Sequence, residues 1–273
     1  MPCIIRASVF ALALFLILPA LSGLSGAPGN ALAAPAVPDD ALKEALRKVL
    51  KENPDLVMDV LRDNSEIVLE IAQQGNILRK RKNMLSQWEL DAKQHKVINL
   101  EDRAFRGNPK APVTIVAYSD FTCPYCLQAE QVLVQLLKKD SGAIRVTFKA
   151  LPKDEPYSIA AAKYSTAAFL LDPVKGWDFF DALFKDVQRF EREGDEFLKE
   201  IATQCGFDFK KLKSESGGAR VQARLDEDRK EADGFGISGT PYFLVNDLMV
   251  RGAIPKDMFE EAIEMALQYK NGK

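Results

Sequence analysis

The spacing of hydrophobic positions changes several times along the chain. Val9 to Leu24 is an almost continuous apolar run, preceded by Arg6 and followed by Ala31-Leu32-Ala33. A short cationic start, an apolar core and small residues at a cleavage point describe a secretory signal. Residues 1–33 are therefore expected to be removed, with the mature chain starting at Ala34 or just after. A retained membrane span is the competing reading, but Pro19, Ser22 and Gly23 interrupt the run, which is short for the ~20 residues a span needs. No cysteine stands at the cleavage point to carry a lipid anchor.

After a linker from Ala34 to Asp40, Leu42, Leu46, Val49 and Leu50 recur at helical spacing, and Asp39 or Asp40 can cap that helix. The helix stops at Asn53. Asn53-Pro54 restarts one, since asparagine can accept orphan N–H groups and proline is pre-set for the first helical position. The new segment carries Leu56, Val57, Val60 and Leu61, and Asn64-Ser65-Glu66 offers a third start. Beyond it, Ile67, Ile71, Gln74, Leu78, Arg81, Leu85 and Trp88 alternate steps of four and three, which keeps one seam of a long helix turned to a partner. That seam can lie on its own domain or on another copy. The cationic run Arg79–Lys82, with Gly75 weakening the middle, favours self-association through residues 40–95.

The period then shortens. Arg106 to Pro112 is a turn-rich boundary. Val113–Tyr118 is β-branched and apolar, a buried central strand. Leu127, Val132, Leu133, Leu136 and Leu137 place a helix from Cys126 to Lys139, ended by Asp140-Ser141-Gly142, and Ile144–Ala150 is a second strand, completing a βαβ unit. Residues 158–234 read as helices at Ser158–Leu171, Trp177–Phe184, Glu196–Cys205 and Ala219–Asp233. Strands return at Tyr242–Val245 and Leu248–Arg251 around Asn246-Asp247, and a last helix runs from Lys256 to about Tyr269. The predicted organisation is a signal at 1–33, a helical segment and linker at 34–104, and an α/β domain at 105–273 with a helical insertion at about 158–234.

Composition narrows the function. A chain of 273 residues with 37 basic and 39 acidic side chains has no global field for nucleic acid, and no basic patch is interleaved with aromatics. Of four cysteines, Cys3 leaves with the signal. Cys123, Cys126 and Cys205 are too few for a disulfide scaffold.

Cys123-Pro124-Tyr125-Cys126 follows directly on the first strand and opens a helix. A thiol attacks as its thiolate, and unpaired N–H groups at a helix start favour that charge. Cys126 lies three residues on, on nearly the same face, close enough to pair with Cys123. Pro124 fixes the turn; Tyr125 is neutral and adds no positive charge. Two thiolates can also be half of a zinc site, but the sole histidine, His95, and Cys205 lack zinc-site spacing, and His95 is expected to be exposed near the end of the N-terminal helix. A purely structural disulfide closing so short a loop gains little. A second signal is Gly236-Ile237-Ser238-Gly239-Thr240-Pro241, where proline opens the strand Tyr242–Val245.

Together, Tyr118-Ser119-Asp120-Phe121-Thr122-Cys123-Pro124-Tyr125-Cys126, Gly239-Thr240-Pro241 and the helical insertion resemble the DsbA-like branch of the thioredoxin superfamily. With the N-terminal helices included, the chain is similar to the ScsC and Com-type periplasmic proteins. The resemblance implies a thioredoxin α/β fold with a helical insertion, Cys123 as nucleophile, Cys126 as resolving thiol, and client binding around Pro124, Tyr125, Thr240 and a cis Pro241. It implies no cofactor beyond the Cys123–Cys126 disulfide itself. Implied partners are unfolded or misoxidised exported proteins, a membrane redox partner of DsbD or DsbB type, and further copies of the chain in a homotrimer. Isomerase or reductase is the favoured direction, since Thr240 rather than valine precedes Pro241 and the N-terminal segment reads as an oligomerisation module. A dithiol oxidase, or a non-enzymatic chaperone or copper-protection module, are the alternatives. One departure stands out: many relatives keep a buried acid six residues before the first cysteine, where this chain has Ala117. Asp120 can instead cap the active-site helix. Cys205 reads as a small buried side chain, with a regulatory thiol as the other reading.

Overall fold

The computed structural model describes residues 38–139 and 142–270. The expected signal at 1–33 and the helix stop at Asp140-Ser141 lie outside them. The chain divides into two units, one ending at Glu70 and one beginning at Ile71.

The first unit holds α1 (Asp39–Glu52), α2 (Pro54–Asp63) and the start of α3 (Ser65–Asp91). Two expected caps are corrected. The α1 N-cap is Pro38; Asp39 and Asp40 fall inside the first turn, where acids suit the helix dipole, and Asp39 pairs with Lys43 at 3.1 Å. Asn53 donates its side-chain amide backwards to the Val49 carbonyl at 2.9 Å, so it closes α1 instead of capping α2. Pro54 does take the first position of α2. It has no N–H, which lowers the demand for acceptors there and leaves the orphan carbonyls of α1 as the better partners. Asn64 repeats the device on Val60 at 2.8 Å. Neither α1 nor α2 has a buried residue, and Leu42, Leu46, Val49, Leu50, Leu56, Val57, Val60 and Leu61 are all exposed.

The second unit is built on a five-stranded sheet of order β1-β3-β2-β4-β5, comprising β1 (Arg106–Gly107), β2 (Val113–Ser119), β3 (Ile144–Ala150), β4 (Tyr242–Val245) and β5 (Leu248–Arg251). The helix α4 (Pro124–Lys139) carries the chain from β2 to its parallel neighbour β3. Antiparallel pairing joins β4 to β2, and β5 to β4. Strand periodicity assigns the two faces. Val113, Ile115 and Ala117 pack with Leu133 and Leu136 of α4 and with Phe259 and Ile263 of the last helix, α11 (Lys256–Lys270). Val116, Tyr118 and Leu244 pack on the other side with Leu151, Ala232 and Ile237.

The seam of α3 ends in this core. Trp88 is fully buried, and its indole N–H donates to the Met249 carbonyl at 3.0 Å. Met84 and Leu85 pack beside it, and Arg81 pairs with Asp257 at 3.2 Å and with Glu261. Arg81, which breaks the apolar seam in the sequence, is thus matched by carboxylates of α11. The last turns of α3 belong to their own domain, while Ile71 and Leu78 stay exposed.

Between β3 and β4 come α5 (Pro156–Leu171), α6 (Pro173–Lys185), α7 (Val187–Glu193), α8 (Asp195–Gln204), α9 (Phe209–Ser216) and α10 (Ala219–Gly234). Two of these, α7 and α9, exceed expectation, as does β1 inside the turn-rich 106–112 boundary. Each is too short to show a period. β1 is held by antiparallel pairing to β3 and by Gly107, at φ 90°, where a Cβ would meet the Ile144 carbonyl at 2.5 Å. Among the described residues no helix is long and apolar enough to cross a membrane.

Candidate active site

The buried strand β2 ends at Ser119, and Asp120-Phe121-Thr122 turns the chain into α4. Phe121 anchors this turn among the rings of Phe148, Phe180 and Phe184, at centroid distances of 5.4, 5.2 and 4.4 Å. The Cys123 N–H bonds to the Asp120 carbonyl at 3.2 Å, and the Cys123 carbonyl accepts from Cys126 N–H at 3.0 Å, so the two cysteines bracket the first turn of α4. Both are free thiols and both are buried.

Pairing of β2 with β4 brings in the second motif. Tyr118 is opposite Tyr242, which sets Thr240 and Pro241 beside the end of β2. The Thr240–Pro241 peptide is cis. The Cys123 thiol donates to the Thr240 carbonyl oxygen at 3.6 Å, while Pro241 is buried and its own carbonyl accepts from Gly252 N–H at 2.9 Å. Pro124 is exposed and Tyr125 is 63% exposed, so the structure assembles Cys123, Cys126, Pro124, Tyr125, Thr240 and Pro241 at one place with an accessible aromatic rim.

The two thiols differ. Burial pushes Cys126 up to about 12, against the opposing pull of the Ser119 side chain, the Asp120 N–H at 3.5 Å and the Thr240 side chain; a charge on Cys123 raises it further. Cys126 is a protonated thiol in neutral solution. Cys123 is the thiol that faces the Thr240 carbonyl.

Asp120 corrects an expectation. Its carboxylate takes no N–H from the first turn of α4. It accepts from Thr122 N–H at 3.0 Å and Thr122 hydroxyl at 3.1 Å, from Lys153 N–H at 3.3 Å and from the Ser158 hydroxyl at 2.9 Å, tying the loop to the start of α5. Ser119 and Ser158 were not legible as site residues. A buried polar residue at the end of an apolar strand was the one available signal for Ser119, and nothing local marks Ser158.

Ala117 is buried in the apolar core, and an ionisable cluster lies on the α10 side of the sheet, where Glu231 accepts from Tyr118 and Lys149. His95 is exposed and bonds to Asp247 at 3.1 Å. Cys205 is half-buried against the helical block, its thiol raised by burial and by Asp178 and Asp181.

Residues 99–265 match the family model described as Thioredoxin. The chain belongs to the thioredoxin family. The chain is 34% identical to Na(+)/H(+) antiporter NhaA 1 of Salinispora arenicola over 59% of this chain and 24% of that one. It therefore spans about a quarter of that relative's length. Disulfide bond formation protein D of Bacillus subtilis is 28% identical over 60% of this chain and 77% of its own. A thioredoxin-like oxidoreductase from Silicibacter pomeroyi superposes with a TM-score of 0.54 at 26% identity, covering 62% of this chain and 94% of that one. ScsC of Proteus mirabilis in a compact conformation shares the fold, with a TM-score of 0.51 at 21% identity over 81% of this chain and 99% of its own. The thioredoxin fold, with a mixed sheet and a helical block between its halves, is thereby shown.

Proposed function

We propose that the protein is an exported thiol-disulfide oxidoreductase working as a protein disulfide isomerase or reductase. The observation that carries the reading is the asymmetry of the thiol pair beside Thr240–Pro241. Cys123 thiolate attacks a client disulfide sulfur, forming a mixed disulfide and releasing one client thiolate. In isomerisation, a client thiolate then attacks the sulfur bonded to Cys123, forming a new client disulfide and regenerating the Cys123 thiolate. In reduction, Cys126 gives up its proton and attacks Cys123, closing the Cys123–Cys126 disulfide and releasing the second client thiol, so two electrons pass to the client. The high position of Cys126 keeps it from acting before the client is bound. An extended client chain pairing with the main chain near Thr240 would be bound without side-chain selectivity, which suits unfolded or misoxidised exported proteins.

Support for the isomerase direction comes from α1 and α2, whose apolar residues are exposed among the described residues; we assign them to self-association as a homotrimer. A membrane electron donor of DsbD type would keep the pair reduced. The relative named disulfide bond formation protein D supports disulfide chemistry but also suits the oxidase reading, in which a DsbB-type partner reoxidises the pair. The in vivo redox state of Cys123 and Cys126, read by thiol alkylation, decides between them. A mainly dithiol population is expected, and a mainly disulfide one replaces isomerase with oxidase. Light scattering on residues 34–273 tests the trimer; a monomer removes the reason for preferring isomerase.

A further inference from the structure

We propose that Asp120 is a positioning residue that sets the dithiol–disulfide equilibrium of the Cys123–Cys126 pair, with its carboxylate held by Ser158 and the Lys153 main chain at the start of the helical block. The inference rests on the reading of Cys123–Cys126 as the redox centre and names what tunes it.

Asp120 is 2% exposed. A carboxylate in such a place is tolerated only when donors surround it. Its partners are all uncharged: Thr122 N–H and hydroxyl, Lys153 N–H and the Ser158 hydroxyl. Ser158 is itself fully buried and forms a relay, accepting from Lys153 N–H at 2.9 Å while donating to Asp120. No cation bonds to the carboxylate among the described residues, so its charge is dispersed by dipoles instead of being cancelled. The main-chain N–H of the same residue donates to Cys126 Sγ at 3.5 Å, so the residue that bears the carboxylate sits against the thiol pair.

A turn alone does not account for this. Asparagine or serine closes the same turn on Thr122 without burying a charge. The charge does have a consequence for the redox pair. In the disulfide both sulfurs are neutral; in the dithiol one of them can carry negative charge. A fixed carboxylate beside them penalises only the second state, so it favours the disulfide and makes the pair a better reductant. That direction agrees with an isomerase or reductase. Because Ser158 and Lys153 lie on the segment leading from β3 into α5, the start of the helical block takes part in the tuning.

The test is equilibration of the full mature chain with glutathione. Two glutathione thiols reduce the Cys123–Cys126 disulfide, giving the protein dithiol and one glutathione disulfide, with two electrons and two protons transferred. Asp120→Asn, with its carbonyl oxygen in the place of Oδ1, keeps an acceptor for Thr122 and Ser158, gives up the two bonds to Oδ2 from Lys153 N–H at 3.3 Å and the Thr122 hydroxyl at 3.2 Å, and deletes the charge. At fixed glutathione its dithiol-to-disulfide ratio is expected to rise about tenfold, equivalent to about 30 mV. Ser158→Ala leaves the charge and removes one donor that disperses it. Its ratio is expected to fall roughly two- to threefold, a modest dipole effect. Opposite shifts are a signature that loosened packing does not produce. Ratios within twofold of the parent for both variants, or shifts of the same sign, overturn the proposal. If Asp120→Asn does not fold, Ser158→Ala decides alone: a fall supports the proposal, and no change or a rise overturns it. A parent protein whose Cys123 and Cys126 do not equilibrate with glutathione at all overturns the redox reading itself, a different result from a redox-active parent with unresponsive variants.

Discussion

The Cys123 thiol and the Thr240 carbonyl oxygen meet at 3.6 Å, although 117 positions separate them in the chain. The β2–β4 pairing makes the meeting possible, because the Tyr118–Tyr242 register sets the ends of the two motifs side by side. Thr240 thus meets both thiols, Cys123 through its carbonyl and Cys126 through its side chain.

Cys123→Ser should lower reshuffling of a scrambled-disulfide client by about three orders of magnitude or more, because the nucleophile itself is gone. Cys126→Ser should instead accumulate a mixed disulfide on Cys123, visible by mass spectrometry under non-reducing conditions. Undiminished reshuffling by Cys123→Ser would rule the mechanism out.

Glu130, one turn beyond Cys126 on α4, gives a pH dependence with a definite sign. Burial pushes its carboxyl up to about 7; Arg106, at 3.2 Å, opposes this and Asp181 adds to it. Between its ordinary value of 4.5 and 7 the native protein holds a proton that the unfolded chain releases. Stability is thus full below about 4.5 and is lost as pH rises through 7, by about 3 kcal/mol at most. Glu130→Gln should flatten urea midpoints between pH 5 and pH 8. At pH 8 it should exceed the parent by about 1–2 kcal/mol, less than the full amount because the attraction to Arg106 is also lost.

Trp88→Ala should destabilise the second unit by about 3–5 kcal/mol, from the cavity left among α4, α11 and the sheet and from the unpaired Met249 carbonyl. Urea unfolding followed by far-UV circular dichroism measures it. A loss below about 1 kcal/mol would show that α3 is not part of this core.

Leu46→Asp combined with Val57→Asp should turn the proposed trimer into a monomer by light scattering, since each puts a charge on an apolar helix face. Client isomerisation should fall roughly tenfold as the shared local concentration of active sites is lost. Reduction of a small disulfide by Cys123 should remain.

Local patterns specify much of this protein. Periods of 3.6 and 2 place α1 to α6, α8, α10, α11 and β2 to β5, since side-chain direction in a helix or strand follows from spacing alone. The same holds for Cys123-Pro124-Tyr125-Cys126 and Thr240-Pro241, whose chemistry is carried by adjacent residues. A strand of two residues, β1, and helices of seven and eight, α7 and α9, are too brief for their own period to show and exist because neighbours hold them.

Other features depend on residues far apart in sequence. Whether Trp88 faces a partner or its own sheet is decided by the Met249 carbonyl and α11, and Asn53 caps backwards because the carbonyls of α1 outbid a helix that begins with proline. The role of Asp120 depends on Ser158 and Lys153. What the sequence determined by itself is which residues carry the thiol chemistry and which segments frame it. What only the tertiary structure decided is which thiol meets the Thr240 carbonyl, which is buried into its protonated form, and which donors surround Asp120, because burial and hydrogen bonding belong to a packed assembly of distant segments.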